Sequence, residues 1–290
     1  MLSMILINSL TLGGMFALLA VGFSLVFGVA RILNMTHTAF YMVTCFLIFA
    51  GTSFLKLPLL PSALLAIPVT VIIGMMSYKF LFDRIKEHET AVMIVSLALA
   101  IVLQEIILLI FGGHFRGVPP FVTGFMEVGG SRVTYQHFFV VGMVGIVILG
   151  VFLLLSKTRL GNAIKAVAQD REIANLMGIN VSRMCMIVTG ISAGLAGIAS
   201  ALLSPIYMSD PLMWLHSLVM VLAVVVLGGL GSVKGSVIAA FILGFAENTV
   251  VFLIPEGSFL RGAVSLAAMV IVILVRPEGL FGVVFEEERL

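Results

Sequence analysis

Lys157-Thr158-Arg159-Leu160-Gly161-Asn162-Ala163-Ile164-Lys165-Ala166-Val167-Ala168-Gln169-Asp170-Arg171-Glu172-Ile173-Ala174-Asn175-Leu176-Met177-Gly178-Ile179-Asn180-Val181-Ser182-Arg183 is the longest polar-rich stretch of the chain, and it holds five of the sixteen basic residues. An apolar run stops just before it and another begins just after it. Such a segment lies outside a bilayer. Its helix-forming composition marks it as folded rather than as a loose linker. Asp170 is placed to cap a short helix beginning at Arg171-Glu172, and Gly178 is placed to end it. The expected product is a compact helix–turn–helix finger, stiff enough to transmit a push.

Outward from this finger the chain is greasy. Hydrophobic residues make up 61% and charged residues 10%, against roughly a quarter charged in soluble domains. Several apolar runs exceed the ~18 residues that cross a bilayer as helix. The first, Met4 to Ala30, is too long for a signal peptide and lacks a basic flank, so it reads as a retained span. Candidate spans are 5–30, 36–55, 60–82, 91–111, 136–156, 184–207, 215–230, 235–254 and 259–275. Two of them, 36–55 and 215–230, are short or interrupted. A short segment can enter and leave on one side, so the chain makes eight or nine crossings. The fold class is all-α, a polytopic membrane protein with broken or re-entrant helices, in one domain spanning 1–290.

Lys and Arg mark the cytoplasmic side. With 157–183 inside, Arg31, the Lys79/Arg84/Lys86 loop, Arg276 and Arg289 also lie inside, while Lys56, Arg116, Arg132 and Arg261 lie outside. Lys234 stays unassigned. Nine crossings then put the N-terminus in the periplasm and the C-terminus in the cytoplasm. The outer loop 112–135, rich in Gly and Pro, reads as turns with a short hairpin at most. A partner outside would land here and on loops 55–61 and 205–214; the plainer reading is a connector.

Two interrupted stretches stand out: Phe27 to Phe40, with Gly28, Arg31, Asn34, Thr36 and His37, and Leu227 to Ser236, with Gly228, Gly229, Gly231 and Gly235. Unwound backbone at membrane depth is tolerated only where it is buried in protein or lines a cavity. Corresponding breaks in two halves of a transporter point to its substrate path. Asn34, Thr36, His37, Gly231 and Gly235 are therefore the candidate pathway residues. The plainer readings are interfacial loops, helix caps at Asn34 and Thr36, and a hydrogen-bonded structural histidine.

Glu105 and Glu247 are the charges within spans. A proton relay needs several such groups in series, so structural pairing or cavity lining fits better. Gly190, Gly194 and their small neighbours form a packing device, open to subunit contact. The cysteines, Cys45 and Cys185, sit in apolar runs and suggest neither a disulfide framework nor a metal site. The Lys234-Gly235-Ser236 order is wrong for a phosphate loop, no paired histidines suit zinc, and nothing suggests nucleic acid. No catalytic constellation survives, so any ATPase is another chain.

Glu172-Ile173-Ala174-Asn175-Leu176-Met177-Gly178 resembles the Glu-Ala-Ala-x-x-x-Gly loop of ABC importer permeases, departing at Ile173. The longer string Ala166 to Val181 resembles the branched-chain amino acid permease subfamily, LivH type. So do Gly22 to Met42, where Thr36-His37-Thr38 replaces the family's commoner Ala-His-Gly, Leu227 to Ala240, and Arg276 to Gly282. The resemblance implies an ABC importer permease fold and an inner-membrane subunit. Its expected partners are a second, LivM-like permease, two ATP-binding subunits and a periplasmic binding protein. It implies leucine, isoleucine or valine as substrate, or urea, short amides or aromatic acids as in relatives. It implies Asp170, Arg171, Glu172, Ala174 and Gly178 as the ATPase-coupling residues, with ATP and Mg held by the partners and no cofactor in this chain. A passive channel for a small polar solute is the alternative from another class; it would leave the finger without a purpose. A proton-coupled transporter would need more ionisable groups.

Overall fold

In the computed structural model the described residues are 2–128, 131–254, 257, 262–276 and 279–282. Gly129, Gly130, Arg261, Pro277, Glu278 and Arg289 lie outside them. Nine apolar helices carry the described fold: α1 (Leu2–Ala30), α2 (His37–Ser53), α3 (Leu59–Ser77), α5 (Glu89–Phe111), α6 (Tyr135–Lys157), α9 (Val181–Leu203), α10 (Met213–Gly228), α11 (Val233–Leu253) and α12 (Ala263–Val275). α3 runs through one π turn, Tyr78–Phe82, into the short α4 (Asp83–Ile85). The segment expected outside the bilayer folds as α7 (Arg159–Gln169) and α8 (Arg171–Leu176). The outer loop does form a hairpin, β1 (Phe125–Val128) against β2 (Ser131–Thr134), antiparallel.

Six of the nine are long and apolar enough to span, and α2, α10 and α12 are shorter. The order of elements puts the C-terminal ends of α1, α6, α10 and α12 at one end of the bundle with α7 and α8. This is the basic end, where Arg31, Lys86, Lys157 and Arg171 sit. Lys234, unassigned from sequence, joins them, because the turn before it packs on Gly28 near the end of α1.

α1 is apolar on all sides, and a helix of that kind belongs at the centre of a bundle. It is 89% buried along its apolar stretch, against 17% for α5 and 11% for α6, whose outer faces are left to lipid or to another subunit. α1 packs against α11, α9, α6 and α10, while α9 packs on α3 and α2. Close approach decides these contacts. A Cβ on Gly244 of α11 would lie 2.7 Å from the Cα of Gly13, so only two glycines let α1 and α11 meet backbone to backbone. The small stripe of α9 serves the chain itself: Gly190 meets Met75, and Gly194 meets Val71, both on α3. Polar links between helices add Ser24 to Ser236 at 2.5 Å and Thr44 to Thr70 at 2.7 Å. In membranes such bonds average about 0.6 kcal/mol each, so close packing carries most of the association.

Candidate functional site

The finger is built by local rules. Thr158 Oγ1 accepts the Gly161 N–H at 2.9 Å and starts α7. α7 then buries Gly161, Ile164 and Val167. Asp170 Oδ1 accepts the Ile173 N–H at 2.9 Å and starts α8. Gly178, at φ +83, ends it. Gly178 N–H bonds the Asn175 carbonyl and Ile179 N–H the Ala174 carbonyl, both at 3.0 Å, the paired C-terminal bonds of a Schellman cap. Asn180 Oδ1 takes the Arg183 N–H at 2.9 Å to open α9. Each turn is thus closed by a side chain or a glycine, so the finger is held as one piece.

The five coupling candidates have different places. Asp170 and Gly178 are caps. Ala174 is buried against the protein, and Glu172 is exposed. Arg171 reaches sideways, and its guanidinium donates from Nε at 3.3 Å and Nη2 at 2.9 Å to the Val29 carbonyl in the last turn of α1. α8 is thereby pinned to the central helix. α8 and its C-cap expose three large apolar side chains beside Glu172 and Asn175: Ile173 is 59%, Leu176 85% and Met177 79% exposed. Sequence reasoning passed over these three. Their i, i+3, i+4 spacing was the available signal, since it puts three large apolar groups on one face of a segment outside the membrane.

Among the pathway candidates, Gly231 packs near the end of α1 at the basic end, while the 31–36 link turns back into the bundle and carries His37 to Leu19 and Ser192, midway along α1 and α9. Asn34 Oδ1 accepts the Thr36 N–H at 3.1 Å, and the Thr36 hydroxyl bonds the Ser96 carbonyl of α5 at 2.6 Å. Thr36 therefore ties α5 instead of capping α2. His37 bridges α1 and α9, with Nε2 2.9 Å from the Leu19 carbonyl and Nδ1 2.8 Å from Ser192 Oγ. Gly22 makes room for its ring, since a Cβ there would come within 2.8 Å of Cε1. Gly231 packs on Gly28, and Gly235 lies against the Gly228 backbone. These contacts are close and mutually satisfied, with one exception. Asn34 Nδ2 is buried without a hydrogen-bond partner among the described residues.

A cavity of about 310 Å³ opens elsewhere, towards the far end. α10 has sixteen residues, about 24 Å of helix against a ~30 Å hydrocarbon core. The link from α9, residues 204–212, contributes Tyr207, Met208 and Asp210 to the lining of this recess. Leu12, Met15 and Phe16 of α1 form its apolar wall, while Tyr41, Asp210, His216 and Glu247 bring polar groups. Two backbone bonds at 2.9 Å between Arg116 and Ser209 fasten the link, and Ser209 Oγ lies 2.6 Å from Cys45 Sγ. Glu247 is 1% exposed, with Oε1 accepting the Gly262 N–H at 2.9 Å and lying 3.3 Å from Ser265 Oγ at the start of α12. It lines the cavity. Glu105 sits on the exposed face of α5, bonded by Gln104 at 3.1 Å. None of the five pathway candidates lines this cavity. Along α1 its wall lies some 13 to 17 residues before Val29, about 20–25 Å from the finger.

The family model for the branched-chain amino acid transport system permease component matches residues 5–274. The chain belongs to that permease family. It is 28% identical to the high-affinity branched-chain amino acid transport system permease protein BraD of Pseudomonas aeruginosa, over 96% of this chain and 94% of that one. It is 27% identical to LivH of Escherichia coli K12, over 95% and 94%. PsaBC from Streptococcus pneumoniae, solved with a Fab, shares the fold over 94% of this chain and 92% of that one, at TM-score 0.51 and 15% identity. The permease is thus a multi-pass α-helical membrane protein of the ABC importer type, as its apolar segments and finger led one to expect.

Proposed function

We propose that this permease imports branched-chain amino acids as the membrane subunit of an ATP-driven importer in the inner membrane. The observation that carries the reading is the finger: capped at every turn, pinned to α1 through Arg171, and presenting Ile173, Leu176 and Met177 outward. Three exposed apolar side chains outside a membrane are a docking surface, and the partner that fits is an ATP-binding subunit. Leucine, isoleucine or valine is the substrate suggested by the relatives' names. The whole chain, 1–290, acts as one permease unit beside a second, LivM-like permease, two ATP-binding subunits that hold ATP and Mg, and a periplasmic binding protein. The basic end faces the cytoplasm, which places the N-terminus in the periplasm and the C-terminus inside. The hairpin and the 204–212 link then face the binding protein.

Closure of the ATPase dimer moves α8. Arg171 passes that motion to the end of α1, which runs on to the far cavity. α1 is the element that nucleotide biases between two arrangements. Asn34, Thr36, His37, Gly231 and Gly235 form the inner stretch of the pathway, closed in this arrangement. The unpaired Asn34 amide supports that assignment, because a buried orphan costs ~1–3 kcal/mol and gains a partner when the stretch opens. A passive channel has no use for the finger.

Proteoliposomes holding the assembled transporter test the reading. Labelled leucine, isoleucine or valine should enter only with internal ATP and external binding protein. Uptake without ATP, or driven by a proton gradient alone, contradicts it.

A further inference from the structure

We infer that the outward face of α5, along which Ala98, Val102, Glu105 and Leu109 follow one another, is the face this chain turns to the second permease subunit, and that this subunit is a different chain bringing a hydrogen-bond donor to Glu105. The inference rests on the reading above that two permeases stand side by side, and adds which face of this one makes the seam.

Three spans have bare flanks: the apolar stretch of α3 is 33% buried, that of α5 17% and that of α6 11%. α3 and α6 carry the flank that lipid asks for. Every residue of α6 from Phe138 to Leu155 is apolar or glycine, and Ser62, Thr70 and Ser77 of α3 are buried against the protein. α5 differs. It buries Ser96, yet Glu105 is exposed, at helical spacing from the exposed Ala98, Ile101, Val102 and Leu109. A carboxylate turned to hydrocarbon is costly, and charged groups within spans face protein or a water-filled space.

Glu105 has no short way to the surface. It lies six residues before Phe111 at the end of α5, ~9 Å along the axis. α5 starts at the basic end, and Cα–Cβ bonds tilt towards a helix's N-terminus. The side chain therefore leans towards the middle of the span and away from the nearer surface. Nor is the carboxylate loose. Trp214 of α10, which is buried, donates from Nε1 to Gln104 Oε1 at 2.7 Å, and Gln104 Nε2 donates to Glu105 Oε1 at 3.1 Å. Two hydrogen bonds in series thus run from the core to an outward carboxylate. Its second oxygen has no partner among the described residues.

The occupant of this flank must span the membrane, cover an apolar stripe and offer a donor towards its outer end. The ATP-binding subunits and the binding protein lie outside the bilayer, which leaves the second permease. A second copy of this chain is the poorer occupant. About a twofold axis the same face meets itself, setting carboxylate near carboxylate, and α5 has no Lys, Arg or His to offset them. A related but different permease avoids that conflict.

The test uses the assembled transporter in native membranes. A benzophenone amino acid is placed at position 98 or 102 on α5, or at position 146 or 149 on the flank of α6, and irradiated. Positions 98 and 102 should give an adduct with the second permease, and positions 146 and 149 should give none. Alongside, recovery of the second permease with the tagged chain is measured in mild detergent at graded concentrations. Glu105→Leu should weaken that association about tenfold or more, and Glu105→Gln, which still hydrogen-bonds, should weaken it less. On a lipid face, leucine at this position would be harmless. Thermal unfolding shows whether each variant is folded; if Glu105→Leu is not, Glu105→Gln and the adducts decide. If the unaltered chain recovers no second permease, the two-permease reading itself fails. If it does recover one, three results overturn the seam: adducts with lipid alone from positions 98 and 102, adducts there with another copy of this chain, or undiminished association in folded Glu105→Leu.

Discussion

Two links interrupt the bundle, residues 31–36 between α1 and α2 and residues 204–212 between α9 and α10, and they solve the same problem differently. Each precedes a short helix, seventeen residues in α2 and sixteen in α10. Each therefore brings irregular backbone into the span, where its polar groups need partners. The first link fills its own space: Asn34 bonds Thr36, Thr36 bonds α5, and His37 ties α1 to α9. The second is stitched to Arg116 and Cys45 at Ser209 but leaves a cavity beneath Tyr207 and Asp210. The end of α1 is thus tied to the finger, its middle is held to α2 and α9 through His37, and a cavity lies beside Leu12, Met15 and Phe16. The contrast is between a link packed against its neighbours and a link that roofs a cavity.

The sharpest way to break this contrast is to remove the coupling at the basic end. Leu176→Asp with Met177→Asp puts two charges where an apolar partner surface should land. Hot-spot losses of ~2 kcal/mol each predict that association of the ATP-binding subunits, measured by co-purification at graded concentrations, falls by more than about a hundredfold. Next comes the recess. Leu12→Trp fills it, at an overpacking cost of ~1–3 kcal/mol, and leucine uptake should fall at least about tenfold while the ATP-binding subunits still co-purify. Gly178→Val is third. It places a β-branched residue at φ +83, a conformation costing ~1–2 kcal/mol even for ordinary residues, and uptake per ATP hydrolysed should drop up to about tenfold with membrane insertion unchanged. The smallest effects belong to the locked link. Thr36→Val leaves the Ser96 carbonyl without its side-chain donor and should lower stability by ~1–2 kcal/mol in thermal unfolding. Thr38→Val removes a hydroxyl that has no partner among the described residues and should leave stability within about 0.5 kcal/mol.

Much of this was legible in the residues. Apolar runs located the nine helices, six of them of spanning length, because burial in lipid demands continuous apolar surface. The caps of the finger were readable at Asp170 and Gly178, since capping depends only on near neighbours. The hairpin was half legible, as turn chemistry marks the loop but not its register. The cavity was not. Asp210 and Glu247 lie 37 positions apart in the chain, and only tertiary packing brings both to one cavity. Pro205 and Pro211 bracket that link, a signal of a broken stretch, but the stretches Phe27 to Phe40 and Leu227 to Ser236 carry the stronger glycine and polar signal. Those breaks turned out to be packed: glycines at Gly28, Gly231 and Gly235 serve close approach, which looks the same in sequence as an opening. Leu176 and Met177 illustrate the converse. In a chain this hydrophobic, their only sequence signal is the spacing with Ile173 inside a polar segment, and the fold is what shows them exposed.

The central claim is that α8 is the contact through which an ATPase moves α1. A photo-reactive benzophenone amino acid placed at position 176, irradiated in native membranes, tests it directly. An adduct with an ATP-binding subunit from position 176, and none from a control probe at position 109 on the exposed far part of α5, is the predicted result. Absence of any ATP-binding subunit from the position-176 adducts, with the probe incorporated and the permease inserted, would contradict the account.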